Sequence, residues 1–434
     1  MPPDSTVGFA AADWVLFFVT GLFLLAVGWN ARLQQSFERF AERRYRCAGL
    51  FFVLPMVLRL ALLVNDPQPV PDSAQDFSNM LMADTLLHGR LTNPPHALPE
   101  FFETQRPPSS LDMGLTLAMG RFVTGEPWAG VLLASGVFCA GCYWMLRGWV
   151  SPEWALLGGM LAVMEFGPLC RWANSYSGGY MTAIGGCVVF GALPRLSSRI
   201  RTPWRMALWA LAAMTPLVLI VASKNALSHV PTLASLAVYR FFFLPPLYLA
   251  LASFAVSLRK MRMRWVAATV AACALAASIS PGYQPNALAS LTCLFVLISV
   301  VGLRQISRVR TLGGEIVRVL MVLCVAQFLF LPYEPAGSVR QGNQQRRNLV
   351  RRELEKINGP LLIFVRYGLR HLKQNEWVWN DANIDSARVV WAHDLGAEKN
   401  EELMRYYPSR KVLWLKADEF IPRPVPYQAQ KNLE

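Results

Sequence analysis

Long apolar runs separated by short polar stretches make up most of the chain before residue 335. Each run is about 17 to 25 residues long, the length that an α-helix needs to cross a hydrocarbon core of about 30 Å. The runs are apolar on all sides, whereas the core helices of a soluble protein show only an apolar stripe. The pattern therefore predicts about ten membrane-spanning helices. Their approximate ranges are 13–30, 47–64, 127–147, 153–170, 178–194, 206–222, 234–257, 265–280, 286–303 and 314–332.

The polar stretches between these runs alternate in charge. Basic stretches lie at 31–46, 195–205, 259–264 and 304–310, and acidic or nearly neutral stretches lie at 65–126, 171–177, 223–233 and 281–285. Cytoplasmic loops carry the excess of lysine and arginine. The pattern therefore places the N-terminus, the long loop 65–126 and the tail on the non-cytoplasmic side. Within that loop the apolar segment 111–123 is too short to cross, which predicts a re-entrant or interfacial helix.

The tail has a different pattern, in which short apolar strands alternate with charged helical segments. Helices are predicted at 344–358 and 396–407, and strands at 361–367, 388–394 and 411–418. This alternation indicates a small α/β domain with a partly parallel sheet. The predicted organisation is a transmembrane domain at 1–334, which includes the external loop 65–126, and a non-cytoplasmic α/β domain at 335–434.

Composition supports a membrane protein and argues against other classes. Only 16% of the residues are charged and 54% are hydrophobic, whereas soluble proteins carry about 25% charged residues. The net charge of +14 does not indicate a nucleic-acid partner, because most arginines lie in short loops, where they set orientation. Most of the eight cysteines lie inside predicted spans, so no disulfide framework is implied. The tail has no glycine-rich phosphate loop, so no cofactor is indicated there.

Charged groups at the ends of apolar runs predict a polar site at the outer membrane face, because such groups are costly in a membrane and mark function. They are Arg59, Glu165, Arg171, Lys224 and Arg240. Snorkelling to the headgroups is the alternative for Arg59 and Arg240, whereas the shorter Glu165 is expected to be functional or ion-paired. The long loop adds acids and histidines, and the helical spacing of residues 76, 79 or 80, 83 and 84 predicts an amphipathic helix at 74–88 that lies in the membrane interface. A solvated helix face is the alternative for each of these acids.

Three blocks of sequence carry a family resemblance. They are QDFSNMLMADTLLHGRLTNP (75–94), WANSYSGGYMTAIGGCVVFGALPRL (172–196) and EWVWNDANIDSARVVWAHDLGAEKNEELMRYYP (376–408). They resemble the GT-C superfamily of membrane glycosyltransferases, of the protein O-mannosyltransferase and aminoarabinose-transferase types, and most closely an uncharacterised bacterial subgroup. The resemblance implies a multi-pass enzyme of the bacterial inner membrane with a periplasmic C-terminal domain. Such an enzyme transfers a sugar, with inversion, from a polyprenyl-phosphate donor to an acceptor.

The resemblance also implies roles for individual residues. Asp76 matches the family's second loop acid and is expected to be the general base on the acceptor hydroxyl. Lys224 is expected to hold the donor phosphate, with Arg171 and Arg90 as further candidates. The other site candidates are Asp72, Asp84, His88, Glu165 and Tyr283. No cluster has a clear metal-ligand spacing. A divalent metal bound by Asp72, Asp76 and His88 is an alternative that the sequence leaves open.

The chain also departs from the family pattern. Gln75 replaces the first loop acid, RPPSS (106–110) replaces a YPPGQ-like stretch, and SKNALS (223–228) replaces the usual SRPYEG motif. These changes support a second hypothesis, a catalytically degenerate membrane subunit or scaffold that binds a partner through its external α/β domain. A third hypothesis is a transporter for lipid-linked intermediates, which would show internal repeats and polar groups at the membrane midplane. The sequence shows no clear repeat.

Overall fold

The computed structural model of the chain describes residues 31–64, 68–71, 73–102, 111–197, 204, 207, 211, 214, 241–278, 285–309, 312–330, 337–368, 371 and 376–427. This part of the chain contains thirteen α-helices and one four-stranded sheet. The helices are α1 (Ala31–Glu42), α2 (Arg44–Ala61), α3 (Ala74–Leu87), α4 (Leu111–Thr124), α5 (Pro127–Leu146), α6 (Pro152–Phe166), α7 (Tyr180–Ser197), α8 (Tyr248–Phe254), α9 (Met261–Ser278), α10 (Thr292–Ile306), α11 (Gly313–Phe330), α12 (Gly337–Glu355) and α13 (Ala397–Tyr406). The strands are β1 (Leu361–Arg366), β2 (Val389–His393), β3 (Lys411–Lys416) and β4 (Val425–Pro426).

The chain divides into two compact units. Unit 1 comprises residues 1–66, 132–173 and 179–333, and unit 2 comprises residues 67–131, 174–178 and 334–434. Most of the long loop and the tail, which the sequence analysis assigns to different domains, thus belong to the same unit. Any site built from loop and tail residues lies within unit 2.

Helix α10 forms the core of unit 1, because nearly all of its residues are buried. It lies very close to α8: a Cβ added at Gly302 would lie 1.9 Å from the carbonyl oxygen of Ala250. The Ser253 hydroxyl donates a hydrogen bond to the Gly302 carbonyl oxygen at 2.8 Å across the same contact. Only a residue without a side chain allows two helix backbones to approach to this distance.

The prediction of a polytopic membrane fold with about ten spanning helices is wrong for the described residues. Among them, only two helical segments are long and apolar enough to cross a membrane, α5 and Leu288–Ile306. Buried core helices of a soluble protein show the same length and composition. The described chain is therefore a mostly helical protein with a small mixed sheet.

Two of the apolar runs, 153–170 and 234–257, fail as spans because the helices they form are shorter than the runs. Helix α6 has 15 residues and α8 has only 7. At 1.5 Å per residue, α6 reaches about 22 Å, less than the hydrocarbon core of about 30 Å. The predicted span at 13–30 lies outside the described residues, as does most of the span at 206–222.

The sheet of unit 2 has the strand order β2-β1-β3-β4. Strand β1 pairs in parallel with both β2 and β3, and β4 pairs antiparallel with β3. The three strands predicted in the tail are present as β1, β2 and β3, and the two predicted helices are present as α12 and α13. Parallel neighbours on both sides of β1 explain why its sequence is a continuous apolar run.

Both faces of β1 are buried, because successive strand residues point to opposite sides. Leu361, Ile363 and Val365 pack with residues of α12 on one side. Leu362 and Phe364 pack with α13 on the other side. That second core also contains Phe101 and Phe102 from the long loop, which are 0% and 7% exposed. The loop therefore completes the hydrophobic core of the tail.

Helix α4 of unit 2 exposes an apolar face. Leu111, Leu115, Met119 and Phe122 recur every three or four residues along it, and Phe122 is 82% exposed. The other face of the helix, which includes Met113 and Leu117, is buried. An exposed apolar stripe of this kind is typical of a surface that contacts a membrane or a partner.

The carboxylate of Asp394 holds the end of β2 to its surroundings. It accepts hydrogen bonds from Trp414 Nε1 at 2.9 Å and Asn400 Nδ2 at 2.7 Å, and it pairs with Arg366 at 2.9 Å. Burial acts to raise the pKa of Asp394, but these donors and the backbone N–H of Gly396 outweigh it. The pKa of Asp394 therefore lies below its ordinary value of 3.8.

Acid is expected to remove the stabilisation that Asp394 provides. A carboxyl whose pKa is depressed in the folded state stabilises it fully above the unfolded value of 3.8. That contribution is lost as the pH falls through the lower folded value.

We expect Asp394→Asn to melt at a lower temperature than the wild type at neutral pH. Below pH ~4 the variant should lose less additional stability than the wild type does. Circular dichroism melts measure this, with Glu398→Gln on exposed α13 as control. Equal acid dependence in Asp394→Asn and wild type would contradict the assignment.

Candidate functional site

The structure divides the nine predicted site residues into three groups. Asp72, Lys224 and Tyr283 lie outside the described residues. Glu165 and Arg171 belong to unit 1. The remaining four belong to unit 2, and these are Asp76, Asp84, His88 and Arg90. The site can therefore be built only from the unit 2 group and the residues around it.

Asp76 lies in the first turn of α3 and is fully buried. Its backbone N–H donates to the Ser73 hydroxyl at 3.1 Å, so Ser73 caps the helix. Tyr176 is a close electrostatic neighbour: burial first, and then the negative charges of Glu126 and Asp76, raise the pKa of Tyr176 to about 12. Arg351 acts on the same phenol in the opposite direction. Asp76 and Arg351 therefore each lie within electrostatic reach of the Tyr176 hydroxyl.

The segment 174–178 is tied to the loop by two hydrogen bonds. Asn79 Nδ2 donates to the carbonyl oxygen of Tyr176 at 2.8 Å, and the Tyr176 hydroxyl donates to the carbonyl oxygen of Pro69 at 3.0 Å. Tyr176 and Asn79 come from two of the three resembling sequence blocks. These bonds place the phenol next to the buried start of α3.

Asp84 links three segments of unit 2. One carboxylate oxygen pairs with Arg121 of α4 at 3.0 Å, and the other accepts a hydrogen bond from the backbone N–H of Ala382 at 2.8 Å. The Asp84 side chain is only 7% exposed. Because both oxygens are engaged, this acid connects α3, α4 and the tail.

His88 and Asp381 lie beside this junction. His88 Nδ1 donates to the Asp84 carbonyl oxygen at 2.8 Å. Partial desolvation of Asp381, followed by the charge of Asp84, raises the pKa of Asp381, which Arg121 and His88 partly offset. Two carboxyl groups, a histidine and an arginine thus share one polar cluster. The sequence analysis found Asp84 and His88 but missed Asp381, whose signal was the NDAN segment inside the third block.

Arg90 lies in the turn that ends α3. Its backbone N–H donates to the Thr85 carbonyl oxygen at 3.1 Å, and Gly89 before it has a φ of +69°. A glycine in this left-handed conformation is the usual residue after a helix C-terminus. The side chain of Arg90 is half-buried. The HGR stretch therefore has a structural role as the end of α3.

The unit 1 candidates have separate surroundings. The Glu165 carboxylate accepts a hydrogen bond from the backbone N–H of Leu244 at 3.0 Å. Arg171 is exposed in the turns after α6. Arg59, for which snorkelling was the alternative, is only 1% exposed, and Arg240 lies outside the described residues. Glu165, which is half-buried, thus has a hydrogen-bond donor within unit 1.

A pocket of about 340 Å³ opens in unit 2 between α3, α12 and β2. Trp377, Trp379 and Trp391 line it together with Phe77, and we call it the tryptophan pocket. Phe77 and Trp379 stack with centroids 5.4 Å apart and planes 5° apart. Its volume falls within the range of about 300–1,000 Å³ that is typical of small-molecule sites.

Three arginines also line the tryptophan pocket: Arg347, Arg351 and Arg388. The Arg347 guanidinium lies 4.6 Å from the ring centroid of Phe77 and 4.7 Å from that of Trp377. Arg388 donates to the carbonyl oxygens of Leu354 and Ile357, which fixes it at the end of α12. The sequence analysis missed this pocket, although the WVW spacing of alternate tryptophans was a signal for it.

No group of three or more His, Cys, Asp or Glu side chains in the described part of the chain is placed to hold a metal ion. Of the metal set left open by the sequence, Asp72 lies outside this part.

In comparison with known proteins, no family model, no curated protein and no solved structure matches this chain. The likeness to the GT-C enzymes therefore rests on the three sequence blocks alone.

Proposed function

We propose that this protein is a glycosyltransferase that moves a sugar from a polyprenyl-phosphate donor to an acceptor outside the cytoplasm. The observation that supports this most is the contact between two of the blocks that resemble the GT-C enzymes. Phe77 stacks on Trp379, and these residues come from the blocks 75–94 and 376–408. Two segments that are far apart in the chain, and that both resemble sequences of the family, thus meet at one pocket.

In the proposed reaction, Asp76 takes the proton from the acceptor hydroxyl while that oxygen bonds to the anomeric carbon. The bond from this carbon to the phosphate oxygen breaks, and the polyprenyl phosphate leaves with its electron pair. A positioned carboxylate suits the proton transfer, and cationic donors suit the leaving phosphate. Arg90 is the cation of unit 2 that the resemblance offers for this phosphate. Lys224 and Arg171 keep the same role as part of the proposal.

The proposed enzyme acts at a bilayer, because its donor is a lipid. The exposed apolar face of α4, from Leu111 to Phe122, supports this location. A helix with such a face lies in the membrane interface with its apolar side chains among the acyl chains. The corresponding cellular location is the extracytoplasmic face of a bacterial inner membrane.

A transfer assay tests the proposal. Membranes that contain the full chain are incubated with radiolabelled glucose, mannose or aminoarabinose carried on undecaprenyl phosphate, and release of undecaprenyl phosphate is measured. We expect release from at least one donor above the level of membranes that lack the protein. No release from any of the three would overturn the proposed transfer.

A second candidate function is a non-catalytic membrane subunit, and the state of Asp84 favours it. Both oxygens of this loop acid are bound within the protein, to Arg121 and Ala382. In addition, Gln75 stands where the family pattern has its first loop acid, directly before Asp76. Affinity purification distinguishes the two functions: a stoichiometric protein partner, without a bound lipid-linked sugar, would support the subunit.

A further inference from the structure

The tryptophan pocket combines flat aromatic surfaces with positive charge. Trp379 and Trp391 are both half-buried, so part of each indole faces the pocket. Trp391 is held in place through its backbone: its N–H donates to Asn380 Oδ1 and its carbonyl oxygen accepts from Asn380 Nδ2, both at 2.8 Å. This pair of bonds closes the free edge of β2. The aromatic wall is therefore pre-formed.

We propose that the tryptophan pocket binds an anionic saccharide. A pyranose ring has C–H groups on one face, and these pack on the flat face of an indole, an aromatic surface of large contact area. The hydroxyl groups of the ring need donors and acceptors, which Arg351 and Glu355 provide at the pocket wall. The pocket of about 340 Å³ accommodates a ligand of this size.

The charge of the pocket specifies the anionic group. Arg347, Arg351 and Arg388 face a single carboxylate, that of Glu355, among the lining residues. Arg347 and Arg388 are fixed by their contacts with aromatic rings and with carbonyl oxygens. A phosphate or carboxylate beside such arginines gains charge-assisted hydrogen bonds.

Arg351 is the lining arginine best able to meet a ligand. Its ion pair with Glu355, one turn later on α12, is exposed: the two side chains are 70% and 54% exposed. Such a surface pair contributes little to stability, so the guanidinium is available to exchange its partner for an anion. Arg352, the next residue, is also exposed on α12 and does not line the pocket. It provides a matched control.

This inference deepens the proposed transfer and rests on it for the choice of a sugar phosphate as the probe. Glucose 1-phosphate carries a pyranose and a phosphate without a lipid, so its binding is measured apart from any turnover. Binding without turnover in the transfer assay would contradict the proposed function and leave the pocket assignment. Turnover in the transfer assay without binding of glucose 1-phosphate would contradict the pocket assignment and leave the proposed function.

The experiment titrates the purified full chain with glucose 1-phosphate and follows tryptophan fluorescence and calorimetric heat. We expect saturable binding that Arg351→Ala weakens about tenfold, the loss of one charge-assisted bond, and that Arg352→Ala leaves unchanged. No binding by the wild type, or equal binding by Arg351→Ala and wild type, would overturn the proposal.

Two control ligands test the parts of the proposed ligand. If glucose binds as tightly as glucose 1-phosphate, the pocket does not recognise an anionic group, and if inorganic phosphate binds as tightly, it does not recognise the sugar. Trp379→Leu gives a second test, with weaker binding expected.

Discussion

Replacement of Asp76 by asparagine is expected to lower sugar transfer at least about 100-fold and to leave the fold intact. Asparagine has nearly the same shape as aspartate but does not accept a proton near neutral pH, so general-base catalysis is lost. The hydrogen bond from the backbone N–H of residue 76 to Ser73 Oγ does not involve the carboxylate. Helix α3 should therefore begin at the same position. The rate of undecaprenyl phosphate release measures the effect.

Asp112→Asn is the control for Asp76→Asn. Asp112 is an acid of the same unit, and its carboxylate accepts a hydrogen bond from the backbone N–H of Met113 at the start of α4. Its replacement should leave the transfer rate within about twofold of the wild type, since it has no proposed part in proton transfer. Transfer at the wild-type rate by Asp76→Asn would show that this carboxylate is not the base.

Asp84→Ala is expected to destabilise the protein by about 2–4 kcal/mol. The substitution removes two hydrogen bonds of a charged acceptor, each worth about 1.5–3 kcal/mol, part of which solvent restores. It also leaves the buried backbone N–H of Ala382 without its acceptor. Arg121 is 40% exposed and regains water, which limits the loss. Chemical denaturation of the purified full chain gives the free energy of unfolding.

Asp84→Asn separates the two contributions. The amide oxygen still accepts a hydrogen bond from Ala382, but the ion pair with Arg121 is lost, so a smaller loss of stability is expected. Glu100→Ala, an exposed acid in the same loop, should change the free energy of unfolding by less than about 0.5 kcal/mol. A value for Asp84→Ala as small as that for Glu100→Ala would rule out the junction.

The tail was predictable from sequence because its local patterns are strong. The run LLIFV is continuous and apolar, as a central parallel strand requires, and the short apolar run VVWA likewise indicates a strand. The helix at 74–88 was also predictable, from the helical spacing of Asp76, Asn79, Ala83 and Asp84. These elements depend on short stretches of chain, which the sequence shows directly.

The number of spanning helices was not predictable from apolar runs. A run records composition, whereas a span needs an uninterrupted helix of sufficient length. In the run 234–257, Pro245 begins a 3₁₀ turn, and the α-helix that follows has only 7 residues. In the run 153–170 the helix ends at Phe166. Short helices packed among others bury the same apolar residues.

The candidate site was only partly predictable. Asp76 was found through the family resemblance, and Asp84 and His88 were found as an acid and a histidine of the long polar loop. Arg351 and Trp391 were missed, since an arginine on a charged helix and a tryptophan on a strand are ordinary until α12 and β2 form one wall. Contacts between segments distant in sequence carry no local signal.

The insertion of Phe101 and Phe102 into the core of the tail has a consequence for biosynthesis. The two rings are made early, and their site beside Phe364 exists only after almost the whole chain has been translated. His96 and Tyr407, which also meet at this junction at 3.0 Å, are 311 positions apart. Closure of so long a loop is slow. The nascent loop therefore exposes two aromatic rings to chaperones until the last strands emerge, and a tail expressed alone has an open, aggregation-prone core.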